Sequence, residues 1–273
     1  MRDLALFVQV PKTGSTSMRR LFHTAAADGA SGASSASGAS HAPWLCQRSA
    51  DVDWPCDPSA EVVLGGAWVY GTGDVYRSHA GRWRRGHRAL TTLREPIART
   101  LSAYQYFHRA CGDRGKFRAI TGCGGNLSFV GWAQRTANHY VRLFSAYQPP
   151  GKHMFGAWID EDAAPRALGE PDVARAFAAL TRPSTLVLWL ETDLAGAPEA
   201  QRAALSRLRA WLGEAGAARA ATALANATAF PYENAVPPEA RYAPSATERR
   251  AVCAANWADC ALYARLRNRS CAC

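Results

Sequence analysis

Pro11-Lys12-Thr13-Gly14-Ser15-Thr16-Ser17 stands between a short apolar run and a stretch of helical periodicity. One compact cation, one glycine and a run of hydroxyls make an anion-binding composition. Lys12 supplies a point charge. Gly14 lets the backbone approach a ligand closely. Thr13, Ser15, Thr16 and Ser17 offer hydroxyls, and the N–H groups at a helix start favour an anion. Lys12 is one of only three lysines, with Lys116 and Lys152, among 32 basic residues. The segment is not a Walker A loop, because GxxxxGK[ST] occurs nowhere and the lysine precedes the glycine. The competing reading is a capped helix start with a surface lysine.

A second constellation is Leu93-Arg94-Glu95-Pro96-Ile97-Ala98-Arg99-Thr100-Leu101-Ser102. Arg94 falls where a strand ends, and Ser102 lies about two helical turns further on. A forked guanidinium plus a hydroxyl suits a second phosphate. The competing reading of Arg94 is a salt bridge with Glu95 or another carboxylate. Arg99 reads as a solvated helix charge in preference to a further contact. Two such sites at two strand ends imply a ligand with separated phosphates.

The elements that must position these groups follow from the hydropathy pattern. Residues 4–10 form a continuous apolar run, the signature of a buried parallel strand. Met18, Leu21, Phe22 and Ala25 then recur at helical spacing. Residues 27–42 are Gly, Ser and Ala with almost no large side chain, which predicts a flexible loop. Residues 61–64, 67–70, 88–93 and 185–190 read as strands. Pro96 suits a first helical turn, and Leu101, Tyr104 and Phe107 or His108 continue that helical face. Residues 128–145, with Ser128 as cap, 199–212 and 246–267 read as helices. Alternation of strands and helices predicts a three-layer α/β fold with a central parallel sheet flanked by helices, here a single domain over 1–273.

The chain has 273 residues, is 48% hydrophobic and carries a net charge of +10. That apolar content excludes a disordered chain, and the charge favours an acidic partner. No apolar run is long enough for a membrane span, and no signal peptide opens the sequence. Eight cysteines suggest disulfides. Cys46 with Cys56 and Cys111 with Cys123 each close a short loop in this reading. Cys253 and Cys260 are about 10 Å apart along a helix, too far for one bridge. They therefore pair elsewhere if oxidised, and the Cys271-Ala272-Cys273 tail is a candidate. A zinc site is disfavoured, since no CxxC pair occurs. Sequons at Asn126, Asn226 and Asn268 add to the case for an oxidising, glycosylating compartment.

Together, PKTGSTS and LREPIARTLSAYQYF resemble the two cofactor motifs of the Golgi carbohydrate sulfotransferases, closest to the heparan sulfate and uronyl 2-O-sulfotransferases, with the 6-O enzymes more distant. The resemblance extends more loosely to Tyr76-Arg-Ser-His79, to residues 188–194 and to a closing helix with Asn256, Asp259, Leu262 and Tyr263. It implies a P-loop-like sulfotransferase fold and the donor 3′-phosphoadenosine 5′-phosphosulfate (PAPS), with no metal. It implies that Lys12, Thr13, Gly14, Ser15, Thr16 and Ser17 hold the 5′ end, and that Arg94 and Ser102 hold the 3′-phosphate. It also implies a Golgi or other secretory location, reached through an anchor that these residues do not contain.

Sulfuryl transfer to an alcohol needs a proton acceptor, and histidine suits neutral pH. In the 2-O group the base lies in a Tyr-x-x-His segment, the place His79 holds. That group carries another histidine two residues earlier, where this chain has Arg77. His23 is the alternative, because the 6-O enzymes carry their base on the first helix. Arg82, Arg84 and Arg85, around Trp83, are candidates to grip an anionic polysaccharide or proteoglycan acceptor. Arg135, His139 and Arg142 are candidates to extend that groove. The function expected is transfer to a glycan hydroxyl of uronic acid 2-O or glucosamine 6-O type. The alternative is a non-catalytic polyanion- or glycan-binding protein. A phosphotransferase would need a Walker lysine and metal-binding carboxylates, and neither is found. Nucleic acid is not an expected partner, since no recognised motif accompanies the charge.

Overall fold

The computed structural model describes residues 5–8, 10, 12–30, 45–48, 61–65, 88–109, 126–145, 153–154, 157–158, 167–231 and 242–273. The chain divides into two compact units, Met1–Leu93 with Pro183–Glu233, and Arg94–Arg182 with Asn234–Cys273. In chain order the described strands are β1 (Ala5–Val8), β2 (Leu45–Arg48), β3 (Val62–Gly65), β4 (Arg88–Leu93), β5 (His153–Met154), β6 (Ala157–Trp158) and β7 (Thr185–Trp189). The helices are α1 (Ser15–Ala30), α2 (Pro96–Ala103), α3 (Phe129–Thr136), α4 (His139–Phe144), α5 (Glu170–Leu180), α6 (Pro198–Glu214), α7 (Ala218–Ala223), α8 (Ala246–Ala255) and α9 (Trp257–Arg267). The structure is thus mixed α/β.

The first unit is built on a five-stranded sheet in the order β2-β3-β1-β4-β7. Every pairing in it is parallel, with Val8 opposite Thr91 and Leu93 opposite Trp189. β1 has neighbours on both sides, which explains its unbroken apolar run. The helical face expected at Met18, Leu21, Phe22 and Ala25 is buried throughout, in one core with Phe7, Leu90, Leu188 and the α6 residues Leu205, Leu208 and Leu212. α1 runs on to Ala30, so residues 27–30 are helical rather than the start of a loop. The remainder of that stretch, 31–42, lies outside the described residues, as does the expected strand at 67–70. β2 and α5 were not legible as elements.

In the second unit α2 begins at Pro96 as expected and passes into a π-helical turn over Tyr104–Arg109. Tyr104, Phe107, Phe129 and Trp132 are buried together there, and the Tyr104 ring lies 5.4 Å from Phe129. Ser128 caps α3 by accepting the Gly131 N–H at 3.1 Å. The helices expected over 128–145 and 246–267 are each broken, at Asn138 (φ 57°) and at Asn256. The breaks cap each other. Asn138 Oδ1 accepts the N–H of Ala258 at 2.9 Å and of Asp259 at 3.2 Å. Asp259 Oδ2 accepts the N–H of Tyr140 at 3.1 Å and its Oδ1 that of Val141 at 2.9 Å. Asn138 also donates from its N–H to Asn256 Oδ1 at 3.2 Å. Each break exposes first-turn N–H groups that the opposite side chain satisfies.

The tail is stapled to α8 and α9 by Cys253–Cys273 and Cys260–Cys271, with Cα separations of 5.9 and 5.6 Å. Both cysteines thus pair with the tail, the candidate partner, and not with each other. The candidate loops Cys46–Cys56 and Cys111–Cys123 rest on side chains outside the described residues. The sulfurs of Cys253, Cys260 and Cys273 lie within 4.8 Å of one another, but as disulfides they offer no thiolate to an ion. Among the described residues no helix is long and apolar enough to cross a membrane. Asn126, Asn226 and Asn268 are all exposed.

Candidate anion-binding site

The first motif is a turn between β1 and α1. Its backbone is unusual at two positions, Lys12 (φ 66°) and Gly14 (φ 87°). Left-handed backbone at a residue with a Cβ costs about 1–3 kcal/mol and persists only where its surroundings impose it. Gly14 is required on two counts. Its φ disfavours any side chain, and a Cβ there would stand 2.7 Å from Leu194 Cδ2 and 2.9 Å from Leu190 Cδ1. Those leucines sit on a π-helical turn after β7, Leu190–Leu194. Asp193 pins that turn, accepting from the Trp189 N–H and from Arg207 Nη2, each at 2.7 Å. Leu190 and Leu194, in the stretch 188–194 to which the resemblance extends, therefore pack against the turn of the first motif.

The first bond of the α1 ladder is from Met18 N–H to Gly14 O at 3.0 Å. The N–H groups of Ser15, Thr16 and Ser17 precede it and have no intrahelical acceptor. Lys12, Ser15 and Thr16 are half-buried, and Ser17 is buried. Thr13 is fully buried, and its hydroxyl serves the fold instead of a ligand. It donates to Val10 O at 2.8 Å and lies 3.0 Å from Thr92 Oγ1. Its one proton goes to the carbonyl, so Thr92 donates to Thr13. One residue earlier on β4, Thr91 donates to Val8 O at 3.0 Å. The end of β1 and its turn are thus tied to the end of β4 by hydroxyls from both sides. The sequence reading missed Thr91 and Thr92. Their signal was a Thr-Thr pair inside an otherwise apolar strand.

The second motif begins at Arg94, the residue after β4. Glu95 caps α2, its Oε2 accepting the Ala98 N–H at 2.6 Å. Its Oε1 accepts the N–H of Ala272, in the stapled tail, at 3.2 Å. Arg94 and Ser102 are both half-buried. The main chain of Arg94 is gripped by Tyr140, whose hydroxyl donates to Arg94 O at 2.8 Å and accepts the Arg94 N–H at 3.1 Å. Arg99 corrects the sequence reading. It is not a solvated charge but wholly buried, on the face of α2 that also buries Pro96 and Ala103. Its guanidinium stands 5.4 Å from the centre of the Tyr140 ring, and none of its three nitrogens makes a hydrogen bond.

Among the other expected residues, His23 is half-buried on α1. Arg135 is exposed, and Arg142 is half-buried, with Nε donating to Ala137 O at 3.3 Å. His139 is 1% exposed, so its ring does not line a surface groove. It opens α4 on the side that packs inward, which periodicity through an assumed continuous helix misjudged. His79, Arg82, Arg84 and Arg85 lie outside the described residues, as does Pro11.

Burial pushes the Asp259 carboxyl above the usual carboxylate range, against the opposing pull of Arg99 and of the N–H groups of Val141 and Tyr140. Raised in the folded state, this group contributes stability that is full below the ordinary carboxylate pKa and is lost as pH rises through its folded value. Asp259→Asn removes that dependence. The expected result is that the stability of the variant gains on the wild type as pH rises through that window. Thermal midpoints of both proteins across a pH series check it. A gap that widens against the variant with rising pH would show that pairing with Arg99 outweighs burial.

Searches of protein-family models, of curated proteins and of solved structures each return no match to this chain.

Proposed function

We propose that this chain is a PAPS-dependent carbohydrate O-sulfotransferase with a P-loop-like fold. It moves a sulfuryl group to a glycan hydroxyl of uronic acid 2-O or glucosamine 6-O type in a secretory compartment. The observation that carries this reading is the first motif's construction. It is a strand–turn–helix with a lysine held at φ 66°, tied through Thr13 and Thr92 to the strand that runs directly into Arg94. Anions bind beyond the carboxyl ends of parallel strands, at helix N-termini. β1 and β4 are neighbours in the sheet, so two anion-type motifs issue from adjacent strand ends. The disulfide-stapled tail and three exposed sequons support the compartment.

In this reading Lys12 and the N–H groups of residues 15–17 hold the 5′-phosphosulfate. The hydroxyls of Ser15 and Thr16 assist, and the Thr13 side chain does not. Arg94 and Ser102 hold the 3′-phosphate. His79 accepts the acceptor hydroxyl proton as that oxygen bonds to sulfur, and His23 is the alternative base. The bond from sulfur to the 5′-phosphate oxygen breaks in line, and Lys12 stabilises the charge left on that oxygen. Arg82, Arg84, Arg85, Arg135 and Arg142 attract the anionic acceptor.

The test is transfer of labelled sulfate from PAPS to de-2-O-sulfated and de-6-O-sulfated heparan chains. Label on one hydroxyl class is the expected result. Retention of the glycans without label transfer to any would instead favour the polyanion-binding reading, which rests on the net charge of +10.

A further inference from the structure

Beyond the groups that would touch the donor, the second unit contains a buried assembly that fixes one short piece of main chain. Tyr140 is 2% exposed. Its hydroxyl spends both its proton and a lone pair on the backbone of a single residue, Arg94, at 2.8 and 3.1 Å. A side chain that grips both the N–H and the C=O of one residue restrains φ and ψ on either side of it. Arg94 is also the residue at which the chain leaves β4 for α2, with Glu95 capping that helix.

Tyr140 is held in turn from two directions. Its own N–H, and that of Val141, are bound by the fully buried Asp259 carboxylate at 3.1 and 2.9 Å. Its ring carries the wholly buried Arg99 guanidinium at 5.4 Å. Burying a guanidinium whose nitrogens make no hydrogen bond, beside a carboxylate buried against its ionisation, opposes stability. For Arg99, whose nitrogens satisfy no other group, an apolar residue would avoid that cost.

We propose that Tyr140, supported by Asp259 and Arg99, is a positioning residue that sets the main-chain geometry of Arg94 and thereby aims its guanidinium at the 3′-phosphate of the donor. The proposal rests on the function proposed above. It assigns specificity for the 3′-phosphate to a tyrosine that never touches the ligand.

The test uses Tyr140→Phe, which keeps the ring beneath Arg99 and removes only the hydroxyl. Adenosine 3′,5′-bisphosphate and adenosine 5′-phosphate are titrated calorimetrically into wild type, Arg94→Ala and Tyr140→Phe. Thermal unfolding serves as the check on folding. The expected result is that Tyr140→Phe loses about tenfold of the preference for the bisphosphate while its affinity for the monophosphate is unchanged, the size expected for two net hydrogen bonds. A purely structural tyrosine would weaken both ligands alike or neither. If wild type shows a preference that Arg94→Ala abolishes and Tyr140→Phe retains, the positioning role is wrong and the functional reading stands. If wild type shows no preference, the functional reading fails and this proposal falls with it. Should Tyr140→Phe unfold, Asp259→Asn, which keeps one acceptor for the two N–H groups, carries the same comparison. A retained preference there overturns the proposal.

Discussion

Lys12→Ala is expected to lower the turnover of sulfuryl transfer about 100- to 1,000-fold, the usual cost of removing one group that stabilises charge at the reacting centre. The reasoning is local. Lys12 sits in left-handed backbone between a parallel strand and the N-terminus of α1. Alanine has the same kind of Cβ, so the substitution leaves the strain of the turn where it was. The fold should therefore survive, and the loss should fall on kcat more than on KM, because charge on the departing phosphate oxygen is greatest in the transition state. Initial rates against PAPS concentration separate the two. A rise in KM with unchanged kcat would mean that Lys12 merely helps to bind the donor. Unchanged kinetics would leave it a surface lysine on a capped helix.

The second large effect concerns the base. His79→Ala is expected to reduce turnover about 100- to 10,000-fold, the range for loss of a general base, whereas His23→Ala should be much milder. In the wild type, the rate should fall at acid pH as the histidine base is protonated. The variant that lacks the base should lose that limb of the profile. If His23→Ala abolishes the limb and His79→Ala does not, the acceptor chemistry follows the 6-O pattern, from the first helix. If both variants turn over normally with the limb intact, neither histidine is the base.

Much of the architecture was legible because its signals are local. The apolar run that became β1 and the residues 88–93 that became β4 are read from continuity of hydrophobicity, and Met18, Leu21, Phe22 and Ala25 from helical period. The rise of a helix argued against a Cys253–Cys260 bridge and left the tail as a candidate partner, although that helix is in fact broken at Asn256. What stayed hidden was tertiary. Asn138 and Asn256 break two helices because each break is capped from the other, an arrangement no single periodic window contains. Arg99 looked like a solvated charge because arginine usually is one. It is buried because its face of α2 packs inward. Thr13 looked like a ligand group from its motif, yet its hydroxyl is committed to Val10 and Thr92, the latter 79 positions away in sequence. Tyr140 carried no signal, since its role is to hold the backbone of Arg94, 46 positions earlier.

The central claim is that this chain binds a nucleotide bearing separate 5′ and 3′ phosphates. Calorimetric titration of the wild type with adenosine 3′,5′-bisphosphate and with adenosine 5′-phosphate tests it most directly. A charge-assisted hydrogen bond contributes about 1.5–3 kcal/mol. The bisphosphate should therefore bind at least about tenfold more tightly than the monophosphate. Equal affinity for the two, or binding of neither, would contradict the account.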